Sequence, residues 1–93
     1  MHDITPCLWF DHQAEEAVNF YLPIFPNSSI TQIARYGKAW PGQEGSVMTI
    51  AFELDGRPFV ALNGGPVFMF NEAISFQVFC DTQDRIDYFW DRL

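Results

Sequence analysis

Basic residues are scarce in this chain: five Lys and Arg stand against twelve Asp and Glu, giving a formal charge of −7 and a pI near 4.4. A surface of that sign repels phosphate backbones and anionic lipid, and no Lys/Arg cluster offsets it, so neither nucleic acid nor a membrane surface is an expected partner. No apolar run approaches the roughly 20 residues a bilayer demands. The opening Met1-His2-Asp3-Ile4-Thr5-Pro6 lacks the basic region and apolar stretch of a signal peptide, so the expected compartment is cytoplasmic. Cysteine is limited to Cys7 and Cys80, without CxxC spacing and both in apolar surroundings, which predicts buried free thiols rather than a disulfide. Only His2 and His12 could offer imidazole, and no HxH or HExxH spacing exists. A transition metal would need carboxylates from distant strands, so no metal and no bound cofactor are expected. GxGxxG, GxxxxGKS/T and GxSxG are all missing, which removes the phosphate-cradling loops and the nucleophile elbow.

What is abundant is apolar and aromatic. Hydrophobic residues make up 48% of 93 residues and ten are Phe, enough for one domain with its own core and incompatible with a disordered tail. The chain also repeats itself. Ile4-Thr5-Pro6-Cys7-Leu8-Trp9-Phe10-Asp11-His12-Gln13 lies over Ile74-Ser75-Phe76-Gln77-Val78-Phe79-Cys80-Asp81-Thr82-Gln83, with Ile, Asp and Gln identical at equivalent places. After a one-residue slip the match continues, pairing Ala17 with Ile86, Phe20 with Phe89 and Tyr21 with Trp90. Each copy is an apolar strand, an acidic helix start and an aromatic pair on a helix.

Between the copies the punctuation is clear. Pro6 places residues 4–10 in a strand near an edge or bulge, and Asp11 is a possible cap for a helix over Gln13 to Leu22. Ala14, Ala17, Val18 and Tyr21 supply its helical spacing, and Glu15 and Glu16 suit the positive end of its dipole. Pro23 and Pro26-Asn27-Ser28-Ser29 end it. Residues 30–36 carry an ambiguous pattern best satisfied by a strand, and 37–45 form a loop. Strands over 46–54 and 57–62 flank Asp55-Gly56, the two-residue signal of a type I′ hairpin. The expected order is β-α-β-β-β over residues 1–66, then β-α over 73–93, within one α+β domain of 93 residues.

Candidate site residues are few. His12 stands between a strand and a helix, where it either meets a ligand or is an exposed turn histidine. Asn63-Gly64-Gly65-Pro66 follows a strand: its glycines free backbone N–H groups and Asn63 brings an amide that donates and accepts, unless the segment is only the turn that crosses to the second copy. Gln77 is polar amid Ile74, Phe76, Val78 and Phe79, and its counterpart in the first copy is Cys7; at period two, Thr5, Cys7 and Trp9 share one face. Buried there, Gln77 needs a hydrogen-bond partner from the protein or from a ligand. Trp40, Met48, Phe68 and Phe70 either line an apolar cavity or belong to the core. No nucleophile, base and orienter are assembled.

Several segments together resemble one family. They are residues 4–11, the Ala14-Glu15-Glu16-Ala17 and Phe20-Tyr21 helix, Gly45-Ser46-Val47-Met48-Thr49, and above all Ala61-Leu62-Asn63-Gly64-Gly65-Pro66 with Phe70-Asn71-Glu72-Ala73-Ile74-Ser75-Phe76-Gln77-Val78. They resemble the PhnB-like family, often labelled 3-demethylubiquinone-9 3-methyltransferase, of the glyoxalase/bleomycin-resistance/extradiol-dioxygenase (vicinal oxygen chelate) superfamily. The resemblance implies two βαβββ modules, each curling a sheet around a concave pocket, in a homodimer. Metal-dependent members begin the first strand of each module with histidine; here those places fall near Asp3 or Ile4 and near Ala73 or Ile74. A glutamate expected late in the first module meets Leu62-Asn63, and that of the second lies beyond Leu93. The second module, expected to run for three more strands, stops inside its helix, as in a truncated chain or an ordered remnant. The methyltransferase label has no glycine-rich strand-to-helix turn for S-adenosylmethionine behind it.

The reading that results is a small-molecule binder without a metal site, catalytic weakly or not at all. Its ligand would be held by Trp9, Asn63 and Gln77, with Cys7, His12, Gly64 and Gly65 beside them. The rivals are an enzyme acting on a small oxygenated metabolite, with His12 or a carboxylate as general base, and a structural fragment that dimerises. With three strands of the second sheet missing, Ile74, Phe76 and Val78 lack cover, and a homodimer through residues 74–80 is the expected remedy.

Overall fold

The computed structural model describes residues 4–37, 45–71 and 73–93. Six elements follow in order: β1 (Cys7–Phe10), α1 (Ala14–Tyr21), β2 (Ser29–Arg35), β3 (Val47–Leu54), β4 (Arg57–Asn63) and α2 (Gln83–Arg92). One sheet runs β1-β4-β3-β2, with β1 parallel to β4 and the other neighbours antiparallel. The βαβββ order expected for residues 1–66 is thus present. Asp55 and Gly56 close the β3–β4 hairpin with φ of 51° and 75°, the positive pair a type I′ turn requires.

Helix α1 lies across β3 and β4. Its four-residue spacing buries Ala14 and Val18 completely, and they meet Val47, Ile50, Phe52 and Ala61 in the core, with Phe10, Leu22, Leu54 and Phe59 packed around them. Two irregularities set which residues reach that core. Arg35 pairs with Val47 while Ala34 pairs with Thr49, so Met48 is an extra residue in β3 and Val47 turns to the same face as Ile50 and Phe52. Likewise Thr31 is skipped between Ile30 and Gln32, which lets Ile30 and Ile33 share a face, opposite Phe52 and Ile50. Hence the ambiguous pattern of this strand: its three-residue apolar spacing is a bulge.

The other face of the sheet carries Cys7, Trp9, Gln32, Ala34, Thr49, Ala51, Val60 and Leu62, as the register requires. No helix covers it. Cys7 is therefore exposed and Cys80 half-buried, both free; the expectation of buried thiols fails because neither lies under α1.

Residues 74–80 depart further from expectation. They join no ladder among the described residues, and Ile74, Phe76, Val78 and Phe79 are exposed. A strand needs a neighbour for its N–H and C=O groups, and β1, the edge of the sheet, pairs only with β4. Helix α2 forms as expected, its N-cap Thr82 accepting from Arg85 N at 3.3 Å. It buries no residue. It docks on the turn after α1, where Tyr88 Oη donates to Ile24 O at 2.6 Å and the rings of Phe25 and Phe89 stack at 5.0 Å.

Candidate functional site

At the end of β1 the chain ties a knot. Asn63, last in β4, sits beside Phe10 in parallel register, and its carboxamide is divided between two backbones. Oδ1 accepts from Ala14 N at 2.9 Å and Nδ2 donates to Val47 O at 3.0 Å. The first turn of α1 is therefore satisfied by a residue 49 positions away, and Gln13, its N-cap by position, makes no side-chain cap. Asp11, expected to cap, instead lends its backbone carbonyl to Gly65 N at 3.3 Å. Gly64 N donates to Phe10 O at 2.8 Å, and the Tyr36 hydroxyl donates to the backbone carbonyl of Asn63.

This bears directly on the Asn63-Gly64-Gly65 segment. The N–H groups expected to be free for a ligand are spent inside the protein, and so is the Asn63 amide. The glycines are needed for another reason. A Cβ on Gly64 would lie 2.4 Å from Cζ2 of Trp9, and Gly65 has φ of 91°. Close approach of this backbone lets Trp9 Nε1 donate to Gly65 O at 2.8 Å.

Beyond Gly65 the chain straddles β1. Phe68 meets the Trp9 ring edge to face at 5.0 Å, and Phe70 meets Phe10 in the same manner at 5.0 Å. Trp9 and Phe10 point to opposite faces of the sheet, so alternate residues of the strap clasp both sides of the strand. Between strap and strand lies an open cleft of ≈ 370 Å³, lined by Trp9, Phe10, Asp11, Gln13, Phe68, Met69 and Phe70. Its polar groups come from Asp11 and Gln13. His12 lies on the same turn, its side chain 76% exposed and Nδ1 3.5 Å from Asp11 Oδ2, while its backbone N–H donates to Gln13 Oε1.

Of the expected site residues, Trp9, Gly64, Gly65 and Asn63 converge here, with His12 beside them. Cys7 is exposed at the start of β1, opposite Val60, and Gln77 is exposed in the 74–80 stretch; neither lines the cleft. Gln77 is thus not the buried amide its apolar neighbours suggested: the stretch meets the sheet through Phe76, whose ring lies edge to face with Phe59 at 5.4 Å, and Gln77 itself is exposed. Phe68 and Phe70, for which both a cavity and a core place were open, line the cleft, and Met48 is half-buried, while Trp40 lies outside the described residues. Asp11 and Gln13 were read only for the helix start, and their place on the cleft follows from the strap. Among the described residues no three His, Cys, Asp or Glu side chains gather as a metal would require, and no helix is long and apolar enough to cross a membrane.

The family model for 3-demethylubiquinone-9 3-methyltransferase matches residues 2–93. The chain belongs to this PhnB-like family. It is similar to a PhnB protein from Bacillus cereus, which carries the same methyltransferase label, at 38% identity and a TM-score of 0.85, over 99% of this chain and 73% of that one. It is also similar to a protein of known structure from Staphylococcus aureus at 29% identity and a TM-score of 0.54, over 97% of this chain and 68% of that one. No curated protein matches the chain. The PhnB-like family, the mixed α+β architecture and the glyoxalase-like fold are therefore established, the second module being incomplete.

Proposed function

We propose that this PhnB-like chain is a cytoplasmic small-molecule-binding protein that works without a metal and binds an organic ligand at the end of β1. The observation that carries the reading is the cleft between Trp9 and the strap: apolar walls on three aromatic neighbours, with two polar groups at the lip. Trp9 is the residue on which the cleft turns, because Gly64 and Gly65 fix its ring by contact and by hydrogen bond. Asn63 supports the site from behind by locking β4 to α1, and His12 borders it. Cys7 and Gln77 extend the ligand surface if a larger molecule lies along the uncovered face. Among the described residues no nucleophile and base are in register at the cleft, which favours binding over turnover; an enzyme using His12 or Asp11 as general base is the rival.

The measurement is a native mass spectrum of the protein as purified, with a fragment screen read at the indole N–H resonance of Trp9, assigned by Trp9→Phe. A retained organic mass or a fragment that shifts that resonance, without consumption of the molecule, supports the reading. Stoichiometric metal, or turnover abolished by His12→Gln, would give the site to the enzyme.

The same proposal includes a homodimer. Ile74, Phe76, Val78 and Phe79 are exposed, and Val78 and Cys80 border an apolar hollow of ≈ 410 Å³ with Ile86, Phe89, Trp90 and Leu93 of α2. Apolar surface gathered in this way favours a symmetric partner. Sedimentation at micromolar concentration is expected to give about twice the chain mass, and Val78→Lys to aggregate or unfold. A folded monomer that tolerates Val78→Lys removes the dimer.

A further inference from the structure

The proposed site at the end of β1 carries a chemical preference in its own lining. Four of its side chains are aromatic, Trp9, Phe10, Phe68 and Phe70, and Met69 adds a polarisable thioether. The single charged lining group is the Asp11 carboxylate, half-exposed at the lip, and no Lys or Arg is among the lining residues. His12 is the nearest basic side chain, and it pairs with Asp11 only when its ring carries a proton. The donor that could have welcomed an anion, Trp9 Nε1–H, is already given to Gly65 O, and the N–H groups of Gly64 and Gly65 are given to Phe10 O and Asp11 O. At the lip, incoming groups meet the carboxylate of Asp11 and the amide of Gln13, whose Oε1 accepts from His12 N and whose Nε2 is a neutral donor. A net charge of −7 adds a long-range field of the same sign.

Ring faces attract a cation through their quadrupoles, most strongly when it is weakly hydrated, and a carboxylate nearby adds Coulomb attraction. An anionic ligand would meet repulsion from Asp11 and no cationic lining side chain to offset it. We propose that this cleft selects small organic cations, a quaternary or tertiary ammonium carried on an apolar body, with the cationic head toward Asp11 and the body among Phe68, Phe70 and Trp9. This rests on the small-molecule reading of the same cleft and adds the ligand's charge and class.

The test uses the full chain and three soluble probes of similar shape: benzyltrimethylammonium, benzyl alcohol and benzoate. Binding is followed at the Trp9 indole N–H resonance at pH 8. The expected result is saturable binding of benzyltrimethylammonium about five- to thirtyfold tighter than benzyl alcohol, with benzoate weakest. Asp11→Asn should weaken the cation about three- to tenfold and leave benzyl alcohol within twofold, and Phe68→Ala should weaken both. Added salt should narrow the gap in the parent and have little effect in Asp11→Asn. Should benzyl alcohol or benzoate bind as tightly as the cation, or Asp11→Asn leave the ranking intact, the charge preference is wrong while the small-molecule site stands. If none of the probes moves the Trp9 resonance at tens of millimolar, the cleft binds no such ligand and both readings fall. A spectrum of each variant that superposes on the parent away from the cleft shows that it is folded.

Discussion

The chain contains the same strand-and-helix pattern twice, and the two copies end in opposite conditions. In the first, Leu8 and Phe10 join a ladder and α1 buries Ala14 and Val18 against the sheet. In the second, residues 74–80 pair with nothing described and α2 buries no residue. The matched side chains do not explain the difference. Phe20 and Tyr21, which correspond to Phe89 and Trp90, are not the stripe that packs in α1: Phe20 is half exposed, while Val18 is 1% exposed and its counterpart is Asp87. The copies share a pattern at positions around the packing stripe, and what makes one of them a core element is the β-meander that follows it. Strands β2 to β4 give the first copy both a ladder partner and a floor.

The sharpest way to break this comparison is to remove one large aromatic from the floor beneath the first copy and one from the second copy. Phe52, 2% exposed beneath α1, replaced by Ala should cost about 3–5 kcal/mol in urea unfolding. Trp90, 84% exposed in the single chain, replaced by Ala should move the same transition by less than about 0.5 kcal/mol at concentrations low enough to keep the chain monomeric. Similar losses would mean that the second copy is covered in solution, as the proposed homodimer requires, and dependence of the Trp90→Ala effect on protein concentration would identify the cover as a second chain.

Next in size are two polar residues that the sequence offers alike as ligand contacts, Asn63 and Gln77. Asn63→Ala leaves Ala14 N and Val47 O without their partner and should destabilise by about 1–3 kcal/mol, because those groups are partly buried. Gln77→Ala, at an exposed position, should leave stability within about 0.5 kcal/mol. Equal midpoints for the two variants in urea would show that the knot at the end of β1 is replaceable. Gly64→Ala tests the same knot from the other side. The added Cβ, 2.4 Å from the Trp9 ring, forces either the indole or the β4 backbone to move, at about 1–3 kcal/mol, and the Trp9 indole N–H resonance should lose its hydrogen-bonded position.

Much of the βαβββ unit was legible because its signals are local. Asp55-Gly56 needs only two residues to specify a hairpin, and Ala14, Val18 and their neighbours announce a helix by spacing. What the sequence hid was long-range. The bulges at Thr31 and Met48 shift side-chain faces without a distinctive residue, and Asn63 as the cap of α1 joins positions whose distance in sequence carries no pattern. The candidate site was half legible for that reason. Trp9, Gly64 and Gly65 were named as separate candidates, but Asp11 and Gln13 enter the cleft only because the strap of Phe68 and Phe70 folds over β1. Residues 74–80 carry a strand-like pattern, yet a strand exists only where a neighbour accepts its hydrogen bonds.

The smallest expected effect separates the two helices by how their first turns are satisfied. Helix α2 is capped locally, Thr82 Oγ1 accepting from Arg85 N, and its docking rests on Tyr88 and Phe89 near the other end. Helix α1 takes its cap from Asn63 across the fold, and Gln13 turns its own amide oxygen to His12 N instead. Thr82→Ala should therefore cost α2 about 0.5–1 kcal/mol, seen as roughly two- to fivefold faster hydrogen exchange in its amides, with the urea transition of the sheet unmoved. Gln13→Ala should leave exchange in α1 unchanged, since the long-range cap survives. Faster exchange in α1 on that change would mean that its first turn is held locally after all, and the distinction between a helix fixed by the fold and one fixed by its own sequence would be lost.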